Sequence, residues 1–105
     1  MLFRSRLFSG GGDRTIKEWN IETGECIRTL RGHTDCIECL ASIDNRLFSG
    51  SDDDTIKEWN IETGECIRTF DDHTVLCLTS INNRLFSGSQ DITIKEWEVC
   101  DFPPK

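Results

Sequence analysis

No stretch of this 105-residue chain comes near the ~20 consecutive apolar residues of a membrane-spanning helix, and its first residues lack the apolar centre of a secretory signal. Neither a helical span nor a cleaved leader is expected, and the expectation is a soluble, cytoplasmic protein. Positive charge is also scarce. Twelve Lys and Arg stand against 19 Asp and Glu, for a net charge of -7. Such a chain repels phosphate at long range, which excludes nucleic acid and anionic membrane as partners and favours basic peptides or proteins. Proline occurs only as Pro103 and Pro104, where it ends the last run able to pair as a strand. The run Gly10-Gly11-Gly12 lacks the following helix and lysine that a phosphate loop needs. The six cysteines lack a disulfide pattern: Cys26 and Cys66 are one repeated position, Cys39 and Cys77 another, and Cys36 and Cys100 have no counterpart. Equivalent positions of successive copies lie a whole repeat apart, beyond the ~7 Å between Cα atoms that a bridge tolerates.

What is present is repetition. TIKEWNIETGECIRT occurs at Thr15 to Thr29 and, unchanged, at Thr55 to Thr69, while RLFSG occurs at Arg6, Arg46 and Arg84. A period near 40 residues points to propellers or helical arrays. Within the unit, Ile37 to Ile43 and Leu76 to Ile81 are short apolar runs joined to RLFSG by Asp44-Asn45 and Asn82-Asn83, residues that tolerate positive φ in tight hairpins. Strands ending near Trp19, Trp59 and Trp97 follow. After the turn Glu22 to Glu25 and its copy come Cys26 to Leu30 and Cys66 to Phe70. Four strands in 40 residues make a propeller blade.

The segment Gly32 to Asn60, GHTDCIECLASIDNRLFSGSDDDTIKEWN, resembles a WD-repeat unit, with Gly-His at its start, Ser-Gly-Ser-x-Asp in its middle and Thr-Ile-Lys-x-Trp near its end. The likeness runs on to Trp97 and, truncated, back to Leu7. Trp19-Asn20, Trp59-Asn60 and Trp97-Glu98 stand where the family has Trp-Asp, and Asp72-His73 replaces the second Gly-His. The resemblance implies an all-β fold: a partial β-propeller of about three four-stranded antiparallel blades, the first and last incomplete. The expected units are residues 1–31 with a short inner strand at Met1 to Phe3, 32–71 complete, 72–102 with a weak or missing outer strand at Cys100 to Phe102, and a tail at 103–105.

Carried over residue by residue, the family's structural tetrad falls on His33, Ser49, Asp53 and Trp59, and on His73, Ser87, Asp91 and Trp97. The first blade keeps Ser9, Asp13 and Trp19 without a histidine. Linked Ser, His and Asp invite comparison with a catalytic triad, but nothing here supplies an oxyanion hole and the trio recurs from copy to copy. No catalysis and no cofactor are expected. Cys36-x-x-Cys39 has a metal-binding spacing, yet residues three apart on a strand point to opposite faces, so no metal is expected either. Glu18, Glu58 and Glu96 share a face with Ile16, Ile56 and Ile94, where a charge needs a partner. Arg28 and Arg68 on the next strand are the candidates, and Glu96 is left with none.

Three blades at most cannot close a ring, since closed propellers have at least about four. Self-association as a dimer or trimer is the expected remedy for the exposed end faces, given blades this alike. The function expected is a non-catalytic protein–protein interaction scaffold; a purely structural or engineered repeat is the alternative. The few divergent positions, Arg31 against Asp71, Asp52 and Asp54, and Asp35, mark where a partner would touch.

Overall fold

Period-two alternation places strands along the chain, and turn residues set where each one reverses. The computed structural model describes residues 6–71 and 75–98, which are all β, with ten strands and no helix among the described residues. They are β1 (Arg6–Gly10), β2 (Thr15–Asn20), β3 (Cys26–Arg31), β4 (Ile37–Ile43), β5 (Arg46–Ser51), β6 (Thr55–Asn60), β7 (Cys66–Asp71), β8 (Val75–Ile81), β9 (Arg84–Ser89) and β10 (Ile94–Trp97). Three antiparallel sheets result, ordered β1-β2-β3, β4-β5-β6-β7 and β8-β9-β10. They are called the first, second and third blades below. The strands anticipated at Met1 to Phe3 and at Cys100 to Phe102 lie outside the described residues, as does His73.

Each reversal has a local cause. Asp44 (φ 53°), Asn82 (φ 51°) and Asn83 (φ 64°) take the left-handed region in the β4–β5 and β8–β9 hairpins, as short polar side chains do most readily. In the β2–β3 turn, Asn20 Oδ1 accepts from the amides of Glu22 (2.8 Å) and Thr23 (3.2 Å), and Gly24 sits at φ 78°. Asn60 and Gly64 repeat this between β6 and β7. Asparagine in place of the family's aspartate therefore keeps the acceptor the turn requires.

The core lies between blades rather than within one. Because β1 pairs Phe8 with Glu18 and Leu7 with Trp19, each blade has one face of Phe, Ile and Glu and another of Leu, Ser, Lys and Trp. Ile16 and Leu30 of the first blade pack on Ile37, Leu47, Trp59 and Ile61 of the second. Ile43, Phe48 and Ile56 of the second pack on Val75, Leu78 and Leu85 of the third, with Trp97 beside them. The inner strands approach so closely that a Cβ on Gly10 would lie 2.5 Å from Ile37 Cγ2, and one on Gly50 2.6 Å from Val75 Cγ1. This contact explains the glycine that ends the first two RLFSG runs.

Glu18 and Glu58 are fully buried in these interfaces. Arg28 Nε stands 3.2 Å from Glu18 Oε1 and Arg68 Nε 2.9 Å from Glu58 Oε1, the cross-strand pairs the sequence suggests. Neither approach has hydrogen-bond alignment, so both Oε1 atoms are ion-paired by proximity only. The better-formed bonds come from the other side. Arg46 Nη1 donates to Glu58 Oε2 at 2.9 Å, and Arg6 donates to Glu18 likewise. The expectation that Glu96 lacks an arginine is incorrect: Arg84 Nε and Nη2 bind its carboxylate at 2.6 and 3.0 Å. This partner sits diagonally across the preceding strand, two residues from the directly opposed Phe86, within reach of a long side chain.

Removing one member of a buried pair strands the other. Glu58→Leu should destabilise the protein by about 3–5 kcal/mol, and the double variant Arg46→Met/Glu58→Leu should recover most of that loss. Denaturant unfolding checks this; an unchanged midpoint in Glu58→Leu would show the arginine–glutamate ladder to be dispensable.

Candidate functional site

A connected polar network sits on the Leu-Ser-Lys-Trp face of each blade and is most complete in the second. β5 presents Ser49, β6 presents Trp59, the β5–β6 turn presents Asp53, and the segment before β4 delivers His33. Trp59 Nε1 donates to Ser49 Oγ at 2.8 Å, Ser49 Oγ lies 2.6 Å from His33 Nε2, and His33 Nδ1 lies 2.9 Å from Asp53 Oδ2. Since the indole can only donate, the chain of bonds assigns the proton to Nδ1, with Ser49 donating to Nε2. The carboxylate also accepts from the Thr34 amide (3.0 Å) and the Thr55 hydroxyl (2.6 Å). Thr55 was not singled out by the sequence reading. The signal was available in Asp-x-Thr, which occurs at Asp13, Asp53 and Asp91, and all three threonines bond back to their aspartate.

The structure brings the remaining members together in part. In the first blade Trp19 Nε1 donates to Ser9 Oγ at 2.9 Å, and Asp13 binds Thr15 and Lys17. In the third, Trp97 Nε1 donates to Ser87 Oγ at 2.8 Å, and Asp91 binds Thr93. Ser49 is fully buried while Ser9 is exposed, because the first blade's outward face has no neighbouring blade over it among the described residues.

Burial holds the His33 imidazole below its ordinary pKa, against a smaller opposing pull from Asp53. Burial alone would raise the Asp53 carboxyl, but bonds from Thr55, His33 and the Thr34 amide outweigh it and bring it to about 2. This is a packed hydrogen-bond staple joining a neutral imidazole to a carboxylate. No attacking hydroxyl in it faces an open pocket, since Ser49 Oγ is enclosed between indole and imidazole.

The positions singled out for partner contact fall on one rim of the blades. Arg31 and Asp71 end β3 and β7 and are exposed; Asp52 and Asp54 lie in the β5–β6 turn; Asp35 lies in the loop before β4. Asp35 and Asp52 converge with Cys36, their donor atoms within 4.8 Å of one another. Partial desolvation, then the Asp35 carboxylate, raises the Cys36 thiol above its usual pKa, which disfavours thiolate ligation. Cys39 does not join it: its sulfur faces Gly50 at the interface with the third blade, where burial pushes it up to about 12.

The family model described as WD domain, G-beta repeat, matches residues 24–60 and 64–98, about two thirds of the chain. The chain belongs to the WD40 repeat family. Among curated proteins it resembles an uncharacterised WD repeat-containing protein of Schizosaccharomyces pombe, 50% identical over 38 residues, which is 36% of this chain and 10% of that protein. It also resembles mitogen-activated protein kinase kinase kinase A of Dictyostelium discoideum, 57% identical over 28 residues, 27% of this chain and 3% of that protein. The chain thus spans a tenth or less of the length of the curated relatives it matches. Among solved structures, the computationally designed Ika4 protein is 39% identical with a TM-score of 0.82, covering 90% of this chain and 61% of that one. U3-55K is 25% identical with a TM-score of 0.84, covering 90% of this chain and 31% of that one. WD40 repeats are in general interaction modules rather than enzymes.

The staple makes stability depend on pH with a definite sign. An imidazole harder to protonate in the folded state contributes stability that is present above its ordinary pKa of 6.5 and is lost as pH falls through that value. Asp53 adds a second loss between 3.8 and about 2. His33→Asn should cost on the order of 1–3 kcal/mol at neutral pH by stranding Ser49 and Asp53. It should also flatten the fall in melting temperature between about pH 7.5 and 5.5. Calorimetry of both proteins reads this, and an equal fall in the variant would assign the titration elsewhere.

Proposed function

We propose that this chain is a non-catalytic WD-repeat interaction scaffold whose two outward blade faces are covered by a second or third copy, completing a closed propeller. One observation carries the reading. The same repeat positions that are buried between blades are bare at the ends. Leu47 and Ile61 are 4% and 7% exposed, while their counterparts Leu7 and Ile21 are 56% and 55% exposed. On the other face, Ile56 and Ile43 are 0% and 4% exposed against 78% and 57% for Ile94 and Ile81. The first blade's outward face has the chemistry that packs on a preceding blade, and the third blade's has the chemistry that receives a following one. Complementary unlike faces make a head-to-tail contact, which gives a ring when the rotation per blade closes on itself.

The acidic rim supports a basic peptide or protein as a further partner. A hydrogen bond and charge repulsion from Asp52 raise the Glu38 carboxyl above its ordinary pKa, a crowding of negative charge that a Lys or Arg would relieve. The near-identity of the copies, with the likeness to the designed Ika4 protein, favours a second reading, a purely structural or engineered repeat without a separate partner.

Size-exclusion chromatography with light scattering tests the closed ring. A monodisperse dimer or trimer is expected for the 12.0 kDa chain, and Ile94→Glu, which places a charge on an already exposed position, should yield monomer without loss of fold. A clean wild-type monomer would overturn the proposal.

A further inference from the structure

The second and third blades share RLFSGS and TIKEW without change, yet they differ in chemistry along one rim. Glu38, Asp52 and Asp54 of the second blade are replaced in the third by Leu76, Gln90 and Ile92. The fold does not call for the aliphatic pair. Glu38 and Leu76 are the extra residues of matching β-bulges in β4 and β8, where a residue is left unpaired and its side chain re-aimed. Asp54 and Ile92 hold one turn position at φ 69° and 71°, which aspartate enters readily and a β-branched residue rarely does. Leu76 is 50% exposed and Ile92 94%. Glu38 and Asp54 are exposed as well, although the third blade packs on the second. Exposure at these positions therefore follows from the rim and not from the third blade's bare outward face.

The two chemistries are adjacent. Ser80 Oγ of β8 donates to Ser42 O of β4 at 2.9 Å, and these serines hold one repeat position, as Glu38 and Leu76 hold another. The acidic and aliphatic bulges thus stand side by side on packed strands. Beside Glu38, Asp35 and Asp52 bring carboxylate oxygens within 4.8 Å of each other. Beside Leu76, the pairing of Val75 with Ser89 leads directly into the turn at Gln90 to Ile92.

We propose that this junction docks a short extended polypeptide carrying one lysine or arginine and, further along, an aliphatic side chain. The cation seats against Asp35, Glu38 and Asp52, where it relieves the crowding of negative charge; the aliphatic group covers Leu76 and Ile92. The inference rests on the scaffold reading above and specifies its partner. Acidic groups alone would accept any basic segment, whereas their juxtaposition with Leu76 and Ile92 selects a ligand that offers both chemistries at once. Phosphate-bearing surfaces are disfavoured because they would meet the carboxylates.

Backbone amide resonances of the isotope-labelled wild-type chain report the site. Titration with acetyl-Arg-Ala-Leu-Ala-Leu-amide should move Glu38, Asp52, Leu76 and Ile92 with a dissociation constant on the order of 1 mM. Glu62 and Glu65, in the β6–β7 turn at the opposite rim, should stay still. The acetyl-Glu-Ala-Leu-Ala-Leu-amide peptide should not bind, and acetyl-Arg-Ala-Ala-Ala-Ala-amide should bind about tenfold more weakly through loss of the aliphatic contact. Leu76→Glu and Ile92→Asn should each weaken the first peptide by about the same factor. Asp35→Asn/Asp52→Asn should weaken it several-fold and remove most of its salt dependence. Ile92→Asn separates binding from folding: asparagine enters the left-handed region more readily, so its melting temperature should hold or rise while binding is lost. No rim movement up to ~10 mM peptide would overturn the site. An equal response to the glutamate peptide, equal movement of Glu62 and Glu65, or undiminished binding in both Leu76→Glu and Ile92→Asn would also overturn it. Light scattering reads ring closure separately. A monomer that binds the peptide keeps this site and sinks the ring, and a ring that ignores the peptide does the reverse.

Discussion

A blade of four short strands has two apolar faces and no layer of its own to cover either, so its stability depends on face-to-face contact with the next blade. Everything else in this molecule is arranged around that contact. The two faces are of different kinds, Phe-Ile-Glu on one and Leu-Ser-Lys-Trp on the other, and each interface joins one of each. Burial of a single Ile, Leu or Phe is worth about 1.5–3 kcal/mol, and these side chains reach full burial only between blades. Gly10 and Gly50, at the ends of two RLFSG runs, let neighbouring blades approach closely enough for that burial to be complete.

Each interface also holds two polar networks, one from either face. Between the first and second blades lie the Glu18 carboxylate with its arginines and the His33–Ser49–Trp59 staple. Between the second and third lie Glu58 with Arg46 and Arg68, and the Ser87–Trp97 bond. The ends carry the counterparts of these groups: Arg84–Glu96 on the third blade and Ser9–Trp19 on the first. Polar networks of this kind restrict how two apolar faces seat, because a slipped register would leave a carboxylate or an indole N–H without its partner.

Much of this was legible in the sequence for a physical reason. A repeat tied to turn residues and alternating strands leaves few ways to fold, and each RLFSG run and each Trp-ended run is a strand where its pattern placed it. The partners of the glutamates were legible only in part. Cross-strand reasoning led to Arg28 and Arg68, directly opposite Glu18 and Glu58, but it missed Arg6, Arg46 and Arg84, which reach diagonally from the preceding strand. Those arginines open the RLFSG strand motif, whose apolar pattern carries no sign of a charge partner. Thr15, Thr55 and Thr93 were missed similarly, since a hydroxyl two residues after an aspartate reads as turn composition until its bond is seen. That Lys17 occupies the Asp13 carboxylate of the blade without a histidine depends on side-chain direction that no spacing encodes.

The Arg84–Glu96 pair shows what covering an end face would require. It is 61% and 43% exposed in its side chains, whereas Arg46–Glu58 is 8% and 0% exposed. Pairing lowers the Glu96 carboxyl and raises the Arg84 guanidinium relative to their ordinary values, so both remain ionised near neutrality. Drawing such a pair from water into an interface costs several kcal/mol per ion, and mutual attraction returns that only with excellent geometry. Any drive to cover these faces would therefore come from the exposed Leu7, Ile21, Ile81 and Ile94 and not from the ion pair. In the second blade the second arginine, Arg68, comes from β7 of the same blade, so a neighbour over Glu96 would supply apolar cover rather than a cation.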